Sequence, residues 1–397
     1  MERLGIFVSM KIKKRRNAGK IKAVLLCCIA GLGLLGEAQK ASAVQIIQGK
    51  AVGEDTLAGM TIEEKVAQMF FITPEALTGA GQVTGAGELT AQCFGQYPVG
   101  GIIYFSGNLE SGEQVSSMLS GMQEISRERT GLPVFLATDE EGGRVSRLYG
   151  IASDIPYIGD MYSVGATGDP QEAYQVGSTI GSYMKNLNFN VDFAPVADVF
   201  SNPANTVIGD RSFGSDAELV SQMVPMEVQG LQDAGVLATL KHFPGHGDTA
   251  EDSHSGYASS YKSLEELEAC EFQPFRAGIA SNVSFIMMGH ISLPNILNSQ
   301  LPASLSYEMV TGILRQKLQF NGIIITDAMN MGAISANYSS GEAAVMAIEA
   351  GVDMLLMPAD FHSAYEAVLG AVRDGRISED RINESVLRII RMKRKIG

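Results

Sequence analysis

The sequence predicts an α/β protein built as a single (β/α)8 barrel. Three observations carry that prediction. Eight short apolar runs alternate with amphipathic, helix-like stretches along the chain. The runs are rich in Val, Ile, Phe and Met and show no polar alternation, as strands buried on both faces of a parallel sheet do. Ionisable residues then follow five successive runs, where the loops at one end of a barrel would gather them.

The runs cover residues 68–72, 101–105, 134–138, 190–194, 236–240, 284–288, 322–326 and 352–357. Between them, Thr61-x-x-Glu64 and Ser263-x-x-Glu266 have the form of capping boxes. Ser378, ahead of Glu379 and Asp380, starts a final helix that ends near Arg394. An open, doubly wound sheet would use the same alternation. The run ends separate the two: Asp139, Asp198, Lys241-His242, His290 and Asp327 follow the third to seventh runs. A lone Asp after a strand often caps the next helix, and Asp198 reads equally well that way. Five ionisable ends in succession are what one closed ring of loops gives.

Ahead of the barrel, residues 11–22 are strongly basic, 23–35 are apolar, and Ala41-Ser42-Ala43 is a small-x-small site. That order predicts a secretory signal peptide over residues 1–43, with Met10 a candidate start. A short linker at 44–54 and a barrel domain at 55–397 follow. The apolar run is short for a membrane span, and a retained N-terminal anchor is the competing reading. Cys27-Cys28 lacks the small residue expected before a lipidated cysteine. A secreted or cell-envelope location follows. Removing residues 1–43 takes away 9 of 30 basic and 2 of 44 acidic residues, which leaves a formal charge of −21. Such a surface repels phosphate backbones and excludes nucleic acid as a partner; a neutral substrate suits it. Only Cys93 and Cys270 remain in the mature chain, so disulfides do not hold this domain together. The 45% hydrophobic content supports a full core.

The densest chemistry lies at 241–256, K-H-F-P-G-H-G-D-T-A-E-D-S-H-S-G, which holds three of the chain's five His. A Gly-rich loop with a Lys, three His and three acids is hard to explain as packing. Retaining glycoside hydrolysis needs a carboxylate nucleophile and an acid/base group. Asp327, ending the run I-I-I-T-D, is a candidate nucleophile. Asp252-Ser253-His254 offers the acid/base, because residues i and i+2 of an extended loop point the same way and Asp252 would orient the ring. A metal site from His242, His246 and Asp248 or His254 is a second reading, opposed by Pro244 and Gly245, which prevent the helix that His i,i+4 needs. A non-catalytic sugar-binding barrel is a third, and it leaves the Asp-x-His pair unexplained. A solvated Gly-rich connection with incidental His is the bland reading. His246 reads as a loop organiser, His290 as a residue at the pocket edge without a role, and Gly142-Gly143 as a tight turn, since no P-loop Lys-Ser/Thr follows. No cofactor or metal is expected.

Three blocks carry a family resemblance. Asp139-Glu140-Glu141-Gly142-Gly143-Arg144-Val145-Ser146-Arg147 looks like D-x-E-G-G-R-V-x-R, Asp210-Arg211-Ser212-Phe213-Gly214 contains an R-S-F block, and 241–254 matches K-H-F-P-G-H-G-x-T … D-S-H. On these the chain resembles the family 3 glycoside hydrolases, specifically the bacterial cell-wall β-N-acetylglucosaminidases, over about residues 55–395. The resemblance implies Asp327 as nucleophile, His254 as acid/base and Asp252 as its partner. It implies that Asp139, Arg147, Arg211, Lys241 and His242 hold sugar hydroxyls, with Arg144 left as structural. Many β-glucosidases resembling the family take an acid/base carboxylate from a second domain. Here the chain ends about forty residues after the eighth run, so a single barrel carrying its own acid/base is expected. Glu140-Glu141 departs from the pattern by an extra acid. The expected activity is release of terminal β-linked N-acetylglucosamine from muropeptides, chitin oligosaccharides or glycoconjugates, with phosphorolysis the alternative.

Overall fold

A computed structural model describes residues 53–249 and 258–396. The predicted signal segment, and Asp252 and His254, lie outside the described residues. The chain divides into two compact units, Met1–Met60 and Thr61–Gly397. In the first, residues 53–59 are helical. The second contains the barrel.

All eight apolar runs supply a strand. They are β1 (Phe70–Ile72), β2 (Gly101–Ile103), β3 (Phe135–Thr138), β4 (Val191–Asp192), β5 (Leu237–Phe243), β6 (Phe285–Met288), β7 (Ile323–Thr326) and β8 (Leu355–Leu356). From β1 to β7 each pairs in parallel with the next in sequence, and β1 pairs with β8. A parallel bridge between Ile325 and Met354 joins β7 to the approach of β8 and closes the ring. This is the (β/α)8 barrel, and the open-sheet alternative is overturned. Phenylalanines from several strands fill the interior. Phe71 lies 5.3 Å from Phe193 and 6.4 Å from Phe135, and Phe135 lies 5.2 Å from Phe285.

Helices wrap the outside. They are α1 (Ile62–Gln68), α2 (Glu88–Gln96), α3 (Gly112–Thr130), α4 (Pro170–Asn186), α5 (Ala217–Asp233), α6 (Phe272–Ala280), α7 (Ser340–Ala350), α8 (Phe361–Arg373) and α9 (Glu379–Ile396). Between β6 and β7 runs the π-helix Glu308–Lys317. Both capping boxes form: Thr61 caps α1 with Glu64, and Ser263 caps Leu264–Ala269 with Glu266. α4 and α5 pack with their backbones almost touching. A Cβ on Gly177 would lie 2.3 Å from the Glu227 carbonyl oxygen, so only Gly fits that crossing.

The final helix seals the N-terminal floor of the barrel. Lys393 of α9 is fully buried, donates to Gln68 Oε1 (2.7 Å) and sits 5.4 Å from the Phe135 ring centroid. Burial pulls its ammonium down to about 7. Asp353 is also fully buried and accepts from Arg315 Nη2 (2.6 Å), Arg388 Nη1 (3.0 Å), Ser385 Oγ (2.5 Å) and the Ile324 N–H (3.0 Å). Cys93 and Cys270 are not paired.

Candidate active site

The C-terminal ends of the strands open on a cavity of about 330 Å3. Asp139, Arg147, Arg211, Lys241, His242 and Asp327 all line it. Six of the eight residues expected from sequence thus meet in one place; the other two are Asp252 and His254. Apolar side chains such as Phe105, Phe193, Met331 and Met357 complete the wall. A small, mostly apolar cleft with a few convergent polar groups is the ordinary form of a ligand site.

β5 runs further than its apolar core suggested. The polar pair Lys241-His242 ended the run at 240 in sequence, but the strand continues through both to Phe243. It does so because both side chains find acidic partners at the strand ends. Lys241 Nζ lies 2.8 Å from Asp139 Oδ1 and 2.5 Å from Glu141 Oε1. Burial alone would lower the Lys241 ammonium; Asp139 and Glu141 outweigh it and raise its affinity for a proton. Arg211 grips Glu141 with two parallel bonds, Nε to Oε2 (2.7 Å) and Nη2 to Oε1 (2.8 Å). Burial would raise the Glu141 carboxyl, yet Arg211 and Lys241 hold it well below the usual carboxylate range. Arg211 therefore lines the pocket with its fork engaged on Glu141. Arg147 holds its guanidinium 6.0 Å from the Phe105 ring centroid, and its buried Nε has no hydrogen-bond partner.

The two adjacent glutamates divide the work. Glu140 turns away from the pocket and accepts from Ser146 Oγ (2.6 Å), Tyr183 Oη (2.9 Å) and the Arg147 and Leu148 amides (2.7 and 3.0 Å). It thereby folds the segment carrying Arg147 back over the barrel mouth, with Gly142 and Gly143 at positive φ making the turn. The extra acid is thus structural. Arg144 is too, bonded to Asp210 and to the carbonyls of residues 206–208. Two further acids, Asp192 and Glu227, are buried. Neither Glu227 oxygen has a hydrogen-bond partner, and burial, with repulsion from Glu141, pushes its carboxyl up to about 8.

Asp198 does not cap a helix. It is fully buried and accepts from His242 Nδ1 (2.7 Å), the His246 N–H (2.6 Å) and the His242 N–H (3.2 Å). His246 also lines the pocket, with its Nδ1 2.8 Å from Thr249 Oγ1. Asn205 Nδ2 donates to the His246 carbonyl (2.7 Å). Gly247 is required here, because a Cβ would fall 1.9 Å from the Val199 carbonyl oxygen. His290 is not among the pocket-lining residues. It is fully buried, with Nδ1 2.8 Å from Ser304 Oγ and Nε2 3.1 Å from the Ala328 carbonyl, so it supports the backbone that carries Asp327.

Asp327 follows β7 directly. Its N–H donates to Met288 O (2.8 Å), which fixes its backbone to β6, and its Oδ1 accepts the Ala328 N–H (2.7 Å). Burial would raise its carboxyl, but His242, His290, the Ala328 N–H and Lys241 together hold it below the usual range. An ionised carboxylate on a rigid strand end, facing an apolar-walled cleft, is equipped to attack an electrophilic carbon. Sequence reasoning missed Glu141 and left Asp198 undecided. Their partners stand 70 and 44 residues away, and nothing local announces them.

Comparison with known proteins agrees with this geometry. Residues 61–392 match the Glycosyl hydrolase family 3 N terminal domain. The chain is 34% identical to Beta-hexosaminidase A of Pseudoalteromonas piscicida over 77% of its own length and 55% of that protein's. It is 34% identical to Beta-hexosaminidase LpqI of Mycobacterium tuberculosis over 75% of its length and 76% of the relative's. Among solved structures, the family 3 β-N-acetylglucosaminidase from Paenibacillus sp. str. FPU-7 superposes with a TM-score of 0.80 at 40% identity, covering 85% of this chain and 63% of that one. The chain spans little more than half of the first of these relatives, and three quarters of the second. A family match across most of the chain, on the barrel that carries the site, leads to one conclusion: this protein belongs to glycosyl hydrolase family 3.

Proposed function

We propose that this protein is a retaining exo-β-N-acetylglucosaminidase that releases terminal β-linked N-acetylglucosamine. The observation that carries the reading is Asp327, an ionised carboxylate fixed at a strand end in the wall of a small cleft among Asp139, Arg147, Lys241 and His242. The relatives named hexosaminidase and N-acetylglucosaminidase supply the substrate class. Asp327 attacks the anomeric carbon while His254, oriented by Asp252, protonates the departing oxygen. The resulting glycosyl ester on Asp327 is resolved by water with His254 now acting as base. Asp139, Arg147 and Lys241 bind ring hydroxyls, and Arg211 sets the position of Glu141 and hence of Lys241. Residues 1–43 direct export, and the barrel acts in the cell envelope or outside it on muropeptide or chitin-type fragments.

Chromogenic β-N-acetylglucosaminides and β-glucosides, each with and without phosphate, test the activity. We expect strong preference for the acetamido sugar, because a pocket built to bond that group leaves polar atoms unpaired without it. Equal kcat/KM on the two sugars would remove the substrate class, and product sugar 1-phosphate would make the enzyme a phosphorylase. His254→Ala should lose most on poor leaving groups and least on activated aryl glycosides. A 2-fluoro or 5-fluoro glycoside should label Asp327; an adduct on Asp139 or Asp198 would overturn the assignment.

A further inference from the structure

Asp198 is positioned to control one atom of the pocket from behind it. Its carboxylate is fully buried and meets three N–H groups of the segment 242–246: the His242 ring nitrogen Nδ1 at 2.7 Å, the His246 amide at 2.6 Å and the His242 amide at 3.2 Å. A carboxylate only accepts hydrogen bonds, so a ring nitrogen at 2.7 Å from it carries a proton. In a neutral imidazole the other nitrogen, Nε2, is then an acceptor. His242 lines the pocket. The neighbouring cations Lys241 and Arg147 have only donors to offer a ligand. With its Nδ1 proton held by Asp198, a neutral His242 ring has its acceptor at Nε2, beside the donors of Lys241 and Arg147.

We propose that Asp198 is a positioning residue that fixes His242 as the Nδ1-protonated tautomer, so that Nε2 presents a lone pair to a sugar hydroxyl. The same carboxylate ties the amides of residues 242 and 246, which sets where the segment leaves β5. This inference rests on the reading that the pocket holds a sugar ring, but its first half does not depend on turnover. Asp198→Asn keeps the shape and the acceptor for the backbone amides, and turns an NH2 toward Nδ1. Nδ1 must then accept, the proton moves to Nε2, and the pocket-facing atom changes from acceptor to donor.

The tautomer is read directly by 15N NMR of ring-labelled histidine at pH 8; with five His in the chain, His242→Gln assigns the signal. The wild type should show protonated Nδ1 and bare Nε2 at His242. A protonated Nε2, or an imidazolium with both nitrogens protonated, would overturn the proposal without any assay. Asp198→Asn should reverse the pattern and lower kcat/KM by about 100-fold, mostly in KM if the lone pair serves binding. A panel of 3-, 4- and 6-deoxyfluoro β-N-acetylglucosaminides gives the second readout, since fluorine accepts but does not donate. At one position the wild type should lose about tenfold or more relative to the hydroxyl sugar, and Asp198→Asn should shrink that penalty to under about threefold. A penalty unchanged by Asp198→Asn would mean that Asp198 only holds the fold. If the wild type cleaves no β-N-acetylglucosaminide at all, the sugar reading fails while the tautomer result stands. If Asp198→Asn does not fold, the wild-type spectrum alone still decides the first half.

Discussion

At the floor of the barrel, Asp353 meets Arg315, Arg388, Ser385 and the Ile324 amide, so both of its oxygens are doubly bonded within the protein. At the mouth, Asp327 takes the Ala328 amide and otherwise lines an open cleft. Both carboxylates sit below their usual range, and both are surrounded by cations or histidines. What separates them is where the remaining hydrogen-bonding capacity points. A perturbed buried carboxylate therefore does not by itself mark a site. One that faces a cavity, held by a strand end and flanked by donors that also face the cavity, does.

Four changes test that contrast. The largest effect belongs to the mouth: Asp327→Asn should lower turnover by roughly four or more orders of magnitude with the melting temperature unchanged or slightly raised. Activity within tenfold of wild type would dissolve the contrast. At the floor, Asp353→Ala should do the reverse. Leaving Arg315 and Arg388 buried without their partner should cost about 3–5 kcal/mol in urea unfolding, while kcat of the folded fraction stays at the wild-type value.

Lys393 gives a smaller, pH-dependent effect. Its folded value is about 7 against an ordinary 10.5, so between these the unfolded chain binds a proton that the folded form lacks. Stability should therefore rise as pH goes from 7 toward 10, and the full penalty should apply below 7. Lys393→Met should remove that rise and add on the order of 2 kcal/mol at pH 6. A pH profile with the same slope in both proteins would show that the amine is not strained. Glu227 has the opposite sign. Its carboxyl keeps its proton up to about 8 when folded but loses it near 4.5 when unfolded, so stability should fall as pH rises from 4.5 to 8. Glu227→Gln should flatten that fall and stabilise by about 1 kcal/mol at pH 8, measured as unfolding free energy at pH 5 and 8.

Much of this was legible in the chain. A run of four or five apolar residues without alternation has few uses other than a strand buried on both faces, and all eight became one. The ends of those runs located Asp139, Lys241, His242 and Asp327 at one mouth, because a parallel barrel has a single C-terminal end. What could not be read was which charge meets which. Asp139 and Lys241 are 102 residues apart, and Glu140 and Glu141 differ only in the direction their side chains leave the backbone. That direction decides that Glu141 joins the pocket while Glu140 folds the loop beneath Arg147. The end of β5 was misplaced for a related reason: hydropathy falls at Lys241, but the strand continues to Phe243 across a shift in register against β6, with both charged side chains paired.

The seal at the floor has a kinetic meaning. Phe70 pairs with Leu355, and Gln68 accepts from Lys393, 325 positions later. Contacts so distant in sequence cannot form until nearly all of the polypeptide has left the ribosome, and closing so long a loop is slow. During synthesis β1 therefore waits with one open edge until β8 arrives, and the cavity at the mouth lacks Leu356 and Met357 until then. Late closure places the step most exposed to aggregation between the emergence of β1 and that of α9.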